Sequence, residues 1–555
     1  MRTPETKRTD RNTSQRFPQR DTRKRTKVAL VVAAMVAAVI AVVMVVTWLT
    51  PSNSDSLAKP VPTTIKSLPP APTVAYYDQP GPPANSPLEA VEPLKVQVTG
   101  NEVGTVLNQG MTGISLEATD LGDAALSSAN TSLAKLLREV DEPVLRFGGN
   151  AVDRRFFWTS SGEAIPSTYK GDNAHPARAV GPQDLARVNG LLEAVNAKVS
   201  LTVDLGHFDP ARAADMVKHA SGIFGDRLIS VTIGNEPNGF GANGVRPGGY
   251  STDEYVEELK AYATAIYAAA PGVAISGPGT YSQEWWQPFI GADIPQKKIL
   301  SFHNYPLHSC NGDDPKSSPT LGNLMSPLMH QRAADYQKAA VRAGQAAGLE
   351  TWLPETGIAA CPGSNETSRT HASALWTADY FLNAAQLGIA RIGFHSSLLT
   401  CAGGPPMSVL CSGGPYLKPD GQFSGRANFF GLAIVAGLEG GKFLELQTSG
   451  GGLAYSYALR NTDGSTTVIL VNQNDPQKAA QTEVTLSLPG QPLTGTMTQL
   501  AGPSYKAEDQ TVIDGAKSDP KPVAERPTVP GFAYGSTTQT FPLTAGTVTV
   551  LNFTY

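Results

Sequence analysis

Cysteine and histidine are scarce in this chain of 555 residues, with four of the first and eight of the second. No Cys-x-x-Cys pair and no histidine-rich spacing occurs, so nothing in the sequence suggests a zinc site. No Gly-x-Gly-x-x-Gly or Walker-type loop follows the first predicted strand, which weakens a nucleotide-binding doubly wound sheet. Basic residues are in excess only at the start. Residues 1–27 carry ten Lys/Arg against three acidic residues, a net +7, and the remainder carries −11 within a chain total of −4. That balance excludes a polybasic surface on the large domain and argues against nucleic acid as its partner.

One long hydrophobic run is present. Residues 28–50 (VALVVAAMVAAVIAVVMVVTWLT) hold no charge and are long enough to cross a hydrocarbon core of about 30 Å as a helix. The basic residues 1–27 before it predict a cytoplasmic tail. A single-pass anchor in the cell membrane follows, with the rest of the protein extracytoplasmic. The alternative is a cleaved signal peptide ending near Ser56-Leu57-Ala58, although the run is longer than the apolar region such peptides carry. An even number of cysteines (Cys310, Cys361, Cys401 and Cys411) suits that oxidising compartment and predicts disulfides, for which three pairings are open.

Residues 51–93 contain eleven prolines among Ser, Thr, Gly and Ala, which reads as a semi-extended tether. From 94 to 440 short apolar runs alternate with helix-like stretches. The strand candidates are 112–118, 144–149, 198–206, 228–235, 274–279, 299–306, 350–356 and 390–396. Helix-like stretches at 182–196, 210–222, 252–270, 328–348 and 370–388 lie among them. Eight strands alternating with helices predict an α/β fold, a (β/α)8 TIM barrel. Over 441–555 the pattern changes to alternating apolar and polar residues (467–473, 482–489, 494–502, 547–555), which predicts an antiparallel β-sandwich. The isolated strand 94–100 is expected to join that sandwich.

Two glutamates each end a predicted strand. Glu236 stands in Ile-Gly-Asn-Glu-Pro-Asn (233–238) at the end of the fourth, and Glu355 in Trp-Leu-Pro-Glu-Thr-Gly (352–357) at the end of the seventh. Barrel enzymes carry their working residues at such ends. Paired carboxylates there suit acid-assisted cleavage of a sugar acetal: one protonates the leaving oxygen, while the other stabilises or captures the anomeric carbon. Asn235, before Glu236, can donate to a sugar hydroxyl.

The fourth- and seventh-strand glutamates with the preceding Asn resemble the signature of glycoside hydrolase clan A. Leu-Arg-Phe-Gly-Gly-Asn (145–150) with Asp153 and Trp158, Phe-His-Asn-Tyr-Pro (302–306) and Ala-Ser-Ala-Leu-Trp-x-x-Asp-Tyr (372–380) are similar to family 79. That family contains β-glucuronidases and heparanase-like enzymes built as a barrel plus a sandwich. The resemblance covers roughly 94–555. It implies a retaining mechanism with Glu236 as general acid/base and Glu355 as nucleophile, a carbohydrate substrate, and no cofactor or metal. It also implies that Glu117 and Asn150 contact sugar hydroxyls. Arg146 and Tyr305 would hold or orient the nucleophile, against the alternatives of a barrel ion pair and a packed core tyrosine. His303 is either a site residue or a satisfied core histidine.

The chain departs from the family where a uronate carboxylate would be held, in the loops after strands seven and eight. Tyr416 is the candidate there. All four cysteines fall on loops after strands six, seven and eight, and the expected pairs are Cys310–Cys361 and Cys401–Cys411. The substrate expectation is therefore a β-glucuronide. The alternatives are a neutral glucoside, xyloside or arabinoside, or a non-catalytic protein that binds cell-wall carbohydrate.

Overall fold

The computed structural model describes residues 87–555 except 247, 362–364 and 515–525. The expected tail 1–27, the membrane span 28–50 and most of the tether 51–93 lie outside the described residues. No helix among those described is long and apolar enough to cross a membrane.

Eight parallel strands close into a barrel in chain order: Thr112–Glu117, Val144–Gly148, Lys198–Val203, Leu228–Ile233, Ile275–Thr280, Lys297–Asn304, Glu350–Thr356 and Arg391–His395. Runs such as KVSLTV and LISVTI are buried along nearly their whole length. They face the barrel interior on one side and a helix on the other, which is why they read as continuous rather than alternating. The helices between them begin where the chain supplies starts. Pro182, Pro210 and Pro327 each open one, the position where a missing N–H costs nothing. Ser251 and Glu254 cap Thr252–Ala269 reciprocally.

The second unit of structure is the expected β-sandwich, its nine strands hydrogen-bonded as one bent sheet that is antiparallel except for one parallel pairing. In spatial order it runs Val512–Ile513, Thr494–Ala501, Thr547–Thr554, Thr466–Asn472, Ala454–Asn461, Gly441–Ser449, Leu94–Leu107, Thr482–Ser487 and Thr538–Leu543. The strand expected at 94–100 extends to Leu107. It pairs antiparallel with Gly441–Ser449 but parallel with Thr482–Ser487. Register shifts between Val98 and Glu102 and between Glu102 and Val106 let one strand bend through the sheet.

Val468, Leu470, Leu551 and Phe553 share a core with Leu94, Val96, Val484 and Phe541, so the two ends of the bent sheet face each other. The alternate residues Ile469, Val471, Val548 and Val550 belong to the barrel's core. Each is worth about 1.5–3 kcal/mol of burial. The strand Thr466–Asn472 is thus buried on both faces.

The helix His371–Leu387, buried nearly all round, lies at this junction. Its Asp379, 3% exposed, accepts hydrogen bonds from the Tyr457 hydroxyl at 2.6 Å and pairs with His330 Nδ1 at 2.7 Å. His330 in turn stacks on Tyr455.

Two disulfides form, Cys310–Cys361 and Cys401–Cys411, the pairs expected. The first ties the loop after strand six to the loop after strand seven. The second closes the loop after strand eight. Each can contribute about 2–4 kcal/mol by restricting the unfolded chain.

Candidate active site

The site lies at the C-terminal mouth of the barrel, and local sequence sets each side chain. Strand two ends Arg146-Phe147-Gly148-Gly149. A Cβ at Gly148 would collide with the Arg146 guanidinium, and one at Gly149 with the Glu117 carboxylate. The glycine pair is therefore the space those two groups occupy. On strand seven the pairing with both neighbours is irregular around Pro354 and Glu355. A Cβ at Gly393 would strike the Pro354 carbonyl, so the seventh and eighth strands approach closely just beside Glu355.

Strand four ends in an uncommon backbone. Glu236 has φ 51° and ψ 52°, left-handed for a residue with a side chain. Hydrogen bonds over-determine it. The Glu236 N–H donates to the Gly279 carbonyl at 3.0 Å, and the Glu236 carbonyl accepts from Gly239 N–H at 2.8 Å. Asn235 N–H donates to Asp153 at 2.8 Å, and the same carboxylate accepts from the Leu205 and Gly206 N–H groups at 2.8 and 3.0 Å. Asp153 thus joins the loops after strands two and three to the end of strand four. Burial and then the charge of Asp204 push its pKa up to about 7 against these donors.

The two glutamates meet. Carboxylate oxygens of Glu236 and Glu355 and a ring nitrogen of His303 all lie within 4.8 Å of one another. Arg146, 3% exposed, donates from Nη1 to Glu355 Oε2 at 2.5 Å and to the Ser115 hydroxyl at 3.0 Å. Its Nη2 donates to Asn235 Oδ1 at 2.6 Å. The Tyr305 hydroxyl donates to Glu355 Oε1 at 3.0 Å. His303 is fully buried, with Nδ1 2.8 Å from Glu236 Oε1 and 3.8 Å from Glu355 Oε2.

Electrostatics favour the ionised form of Glu355. Burial alone would raise the pKa of Glu355. His303, His395 and Arg146 overcome that and hold its carboxyl well below the ordinary value. Burial, with Glu355 and Glu236, pushes the Tyr305 hydroxyl well above 10, so it remains a proton donor to the carboxylate. Glu236 Oε1 shares its hydrogen bond with His303 Nδ1 and not with Arg146.

The expected pocket residues divide. Glu117 accepts from Ala151 N–H at 2.6 Å and lies 3.9 Å from both Arg155 and His395 Nε2. Behind it, burial together with Glu117 and Asp123 pushes Asp120 up to about 8. Asn150 is exposed on the turn beside Glu117. Asn235 gives its oxygen to Arg146, and its buried Nδ2 has no protein partner among the described residues. It is left as a donor towards a ligand.

Tyr416 follows the second disulfide in the loop after strand eight. It is half-buried in a turn whose end is held to Asn130 and Ser132, at the start of the helix Thr131–Arg138. The loop preceding it is fixed instead by Arg426, which donates to the Pro405, Pro406 and Cys401 carbonyls. His395 was missed by sequence reasoning. It ends strand eight, beside Glu117, and its charge acts on Glu355. The only signal was its place as the last residue of a barrel strand.

Among the described residues Glu236, His303 and Glu355 are the one group with metal-ligand spacing. Glu355 is already neutralised by Arg146 at 2.5 Å, and a cation there would meet that fixed positive charge. The arrangement suits proton transfer and nucleophilic attack by carboxylates instead.

No family model matches the chain, and no curated protein matches it. By structure it is similar to a 4-O-α-L-rhamnosyl-β-D-glucuronidase from Fusarium oxysporum (TM-score 0.62, 17% identity, 83% of this chain and 100% of that one). It is also similar to an α-L-arabinofuranosidase from Thermotoga maritima (TM-score 0.60, 13% identity, 83% and 99%). A monomeric β-xylosidase from Caulobacter crescentus is similar too (TM-score 0.52, 12% identity, 83% and 99%). At these identities the likeness establishes a shared fold, barrel and sheet together.

Proposed function

We propose that this chain is a retaining glycoside hydrolase with Glu236 as general acid/base and Glu355 as nucleophile. One observation carries the reading: carboxylate oxygens of the two lie within 4.8 Å, close to the separation of about 5–5.5 Å used for retention and too short for an intervening water. In the first step Glu355 attacks the anomeric carbon. The bond to the leaving oxygen breaks, and that oxygen takes the proton of Glu236. In the second step Glu236, now a carboxylate, removes a proton from water, which displaces Glu355 and restores the free sugar with the original configuration. Arg146 and Tyr305 keep Glu355 ionised and oriented, and His303 fixes the carboxyl of Glu236.

For the sugar, a β-glucuronide is the first reading, supported by the family 79 resemblance and by the similarity to a rhamnosyl-glucuronidase. A neutral pentoside is the second. It is favoured by the arabinofuranosidases, whose TM-scores of 0.60 and 0.59 are near the 0.62 of the rhamnosyl-glucuronidase. The uncharged run 28–50 supports a membrane-tethered enzyme acting outside the cytoplasm.

A panel of nitrophenyl β-glucuronide, glucoside, galactoside and xyloside with α- and β-arabinosides tests both levels, with Glu236→Gln and Glu355→Gln as controls. Glucuronide turnover lost in both variants supports mechanism and sugar together. Turnover of a neutral glycoside alone removes the uronate reading. Turnover that survives Glu355→Gln, or silence throughout, contradicts the proposal and favours a carbohydrate-binding protein.

A further inference from the structure

The eight strands form a ring, so the arc of strands eight, one and two lies across the mouth from the arc of strands four, five and six. The first arc carries Glu117, Asn150 and His395, polar groups of the kind that can hold sugar hydroxyls. A glycone bonded to Glu355 and held by these groups leaves the second arc to the departing group, whose oxygen must reach Glu236.

Tyr281 stands there. It is the first residue past strand five, and it is 52% exposed. Exposure alone would carry nothing, since single exposed aromatics are ordinary. Its position is what matters. The Tyr281 carbonyl accepts a hydrogen bond from the Tyr336 hydroxyl at 2.7 Å, which pins the backbone. The Tyr281 hydroxyl lies 3.3 Å from where a Cβ on Gly239 would stand, so the side chain reaches over the turn Pro237–Gly239 that directly follows Glu236. It meets the Asn238 side chain in that turn, and its pKa is raised by burial and then by the nearby charge of Glu236. An aromatic ring is thus held at both ends beside the acid, with half its surface open.

We propose that Tyr281 is the stacking platform of the leaving-group subsite, taking the face of the sugar ring or aryl group whose oxygen Glu236 protonates. Tyr281 then sets preference among leaving groups and not among glycones. The assignment rests on the glycosidase reading of the site.

The test compares wild type, Tyr281→Ala and Tyr281→Phe on two substrates sharing whichever glycone the wild type cleaves. One is the nitrophenyl glycoside. The other is the glycosyl fluoride, which has no ring to stack. The readout is the ratio of kcat/KM for nitrophenyl glycoside over fluoride. Stacking predicts that Tyr281→Ala lowers the ratio about tenfold, mostly through KM, and that Tyr281→Phe restores most of it. The basic limb of the pH profile, which reports Glu236, keeps its position. An unchanged ratio in Tyr281→Ala overturns the assignment alone. So does a displaced basic limb, which would make Tyr281 a positioning residue for Glu236. A wild type silent on both substrates for every glycone overturns the glycosidase reading and this assignment with it.

Discussion

Arg146 and Glu355 are 209 residues apart in sequence and meet in a 2.5 Å ion pair inside the barrel mouth, both nearly excluded from solvent. The pair is one edge of a network. Arg146 also holds Asn235, the neighbour of the second glutamate, so a single guanidinium fixes the relative placement of both carboxyl-bearing strands.

Arg146→Met leaves the Glu355 charge buried without its main hydrogen-bonded partner. Glu355 is held below its ordinary pKa in the folded protein. The stability this contributes is present above the unfolded value and is lost as pH falls towards the depressed one. The variant therefore loses about 3–5 kcal/mol of stability at neutral pH. Its acidic limb of kcat/KM moves up by about one pH unit or more. Denaturant melts at several pH values and a pH–rate profile check both. An acidic limb that stays in place contradicts the role given to Arg146.

Asp153 touches neither glutamate carboxyl, yet it receives three backbone N–H groups, one of them from Asn235. Asp153→Asn turns an amide NH2 against at least one of those donors. The expected result is a kcat lower by about 10²-fold, through displacement of Glu236, with a stability loss of only about 1–3 kcal/mol. Activity lost in proportion to the unfolded fraction would mark Asp153 as structural alone.

The barrel and sheet share a titratable contact. Burial lowers the pKa of His330, but its hydrogen bond and attraction to Asp379 more than compensate, and the net shift is upward from 6.5. The groups facing it are Asp379, Tyr455 and Lys338, while Tyr457 shares the Asp379 carboxylate. A raised folded value means that the contribution is complete below pH 6.5 and is lost as pH rises through the raised pKa. Thermal melts between pH 5.5 and 8.5 should show wild-type stability relative to His330→Phe declining at the upper end. A pH-independent difference would count against the charged pair.

Much of this was legible in the sequence, for identifiable reasons. The barrel strands are short, apolar and separated by helices with clear starts at Pro182, Pro210 and Pro327, so the alternation could be read directly. Glu236 and Glu355 stood out because each ends such a strand. The strands Gly441–Ser449 and Ala454–Asn461 were passed over because exposed or half-buried residues interrupt their apolar pattern. The first strand's extension to Leu107 depends on two register shifts that no local pattern announces. His395 was missed because a lone histidine acquires meaning only once Glu117 and Glu355 flank it. The course of the loop before Tyr416 is set by the Cys401–Cys411 disulfide and by Arg426 beyond it, contacts that no local pattern announces.

The central claim is that Glu355 becomes covalently bonded to the sugar. The direct measurement is intact-mass and peptide analysis after reaction with an activated 2-deoxy-2-fluoro glycoside of the sugar the panel identifies. The account predicts one added fluoro-sugar per chain, located on the peptide containing Glu355 and absent from Glu355→Gln. An adduct on another residue would contradict it, as would an inverted product with no adduct.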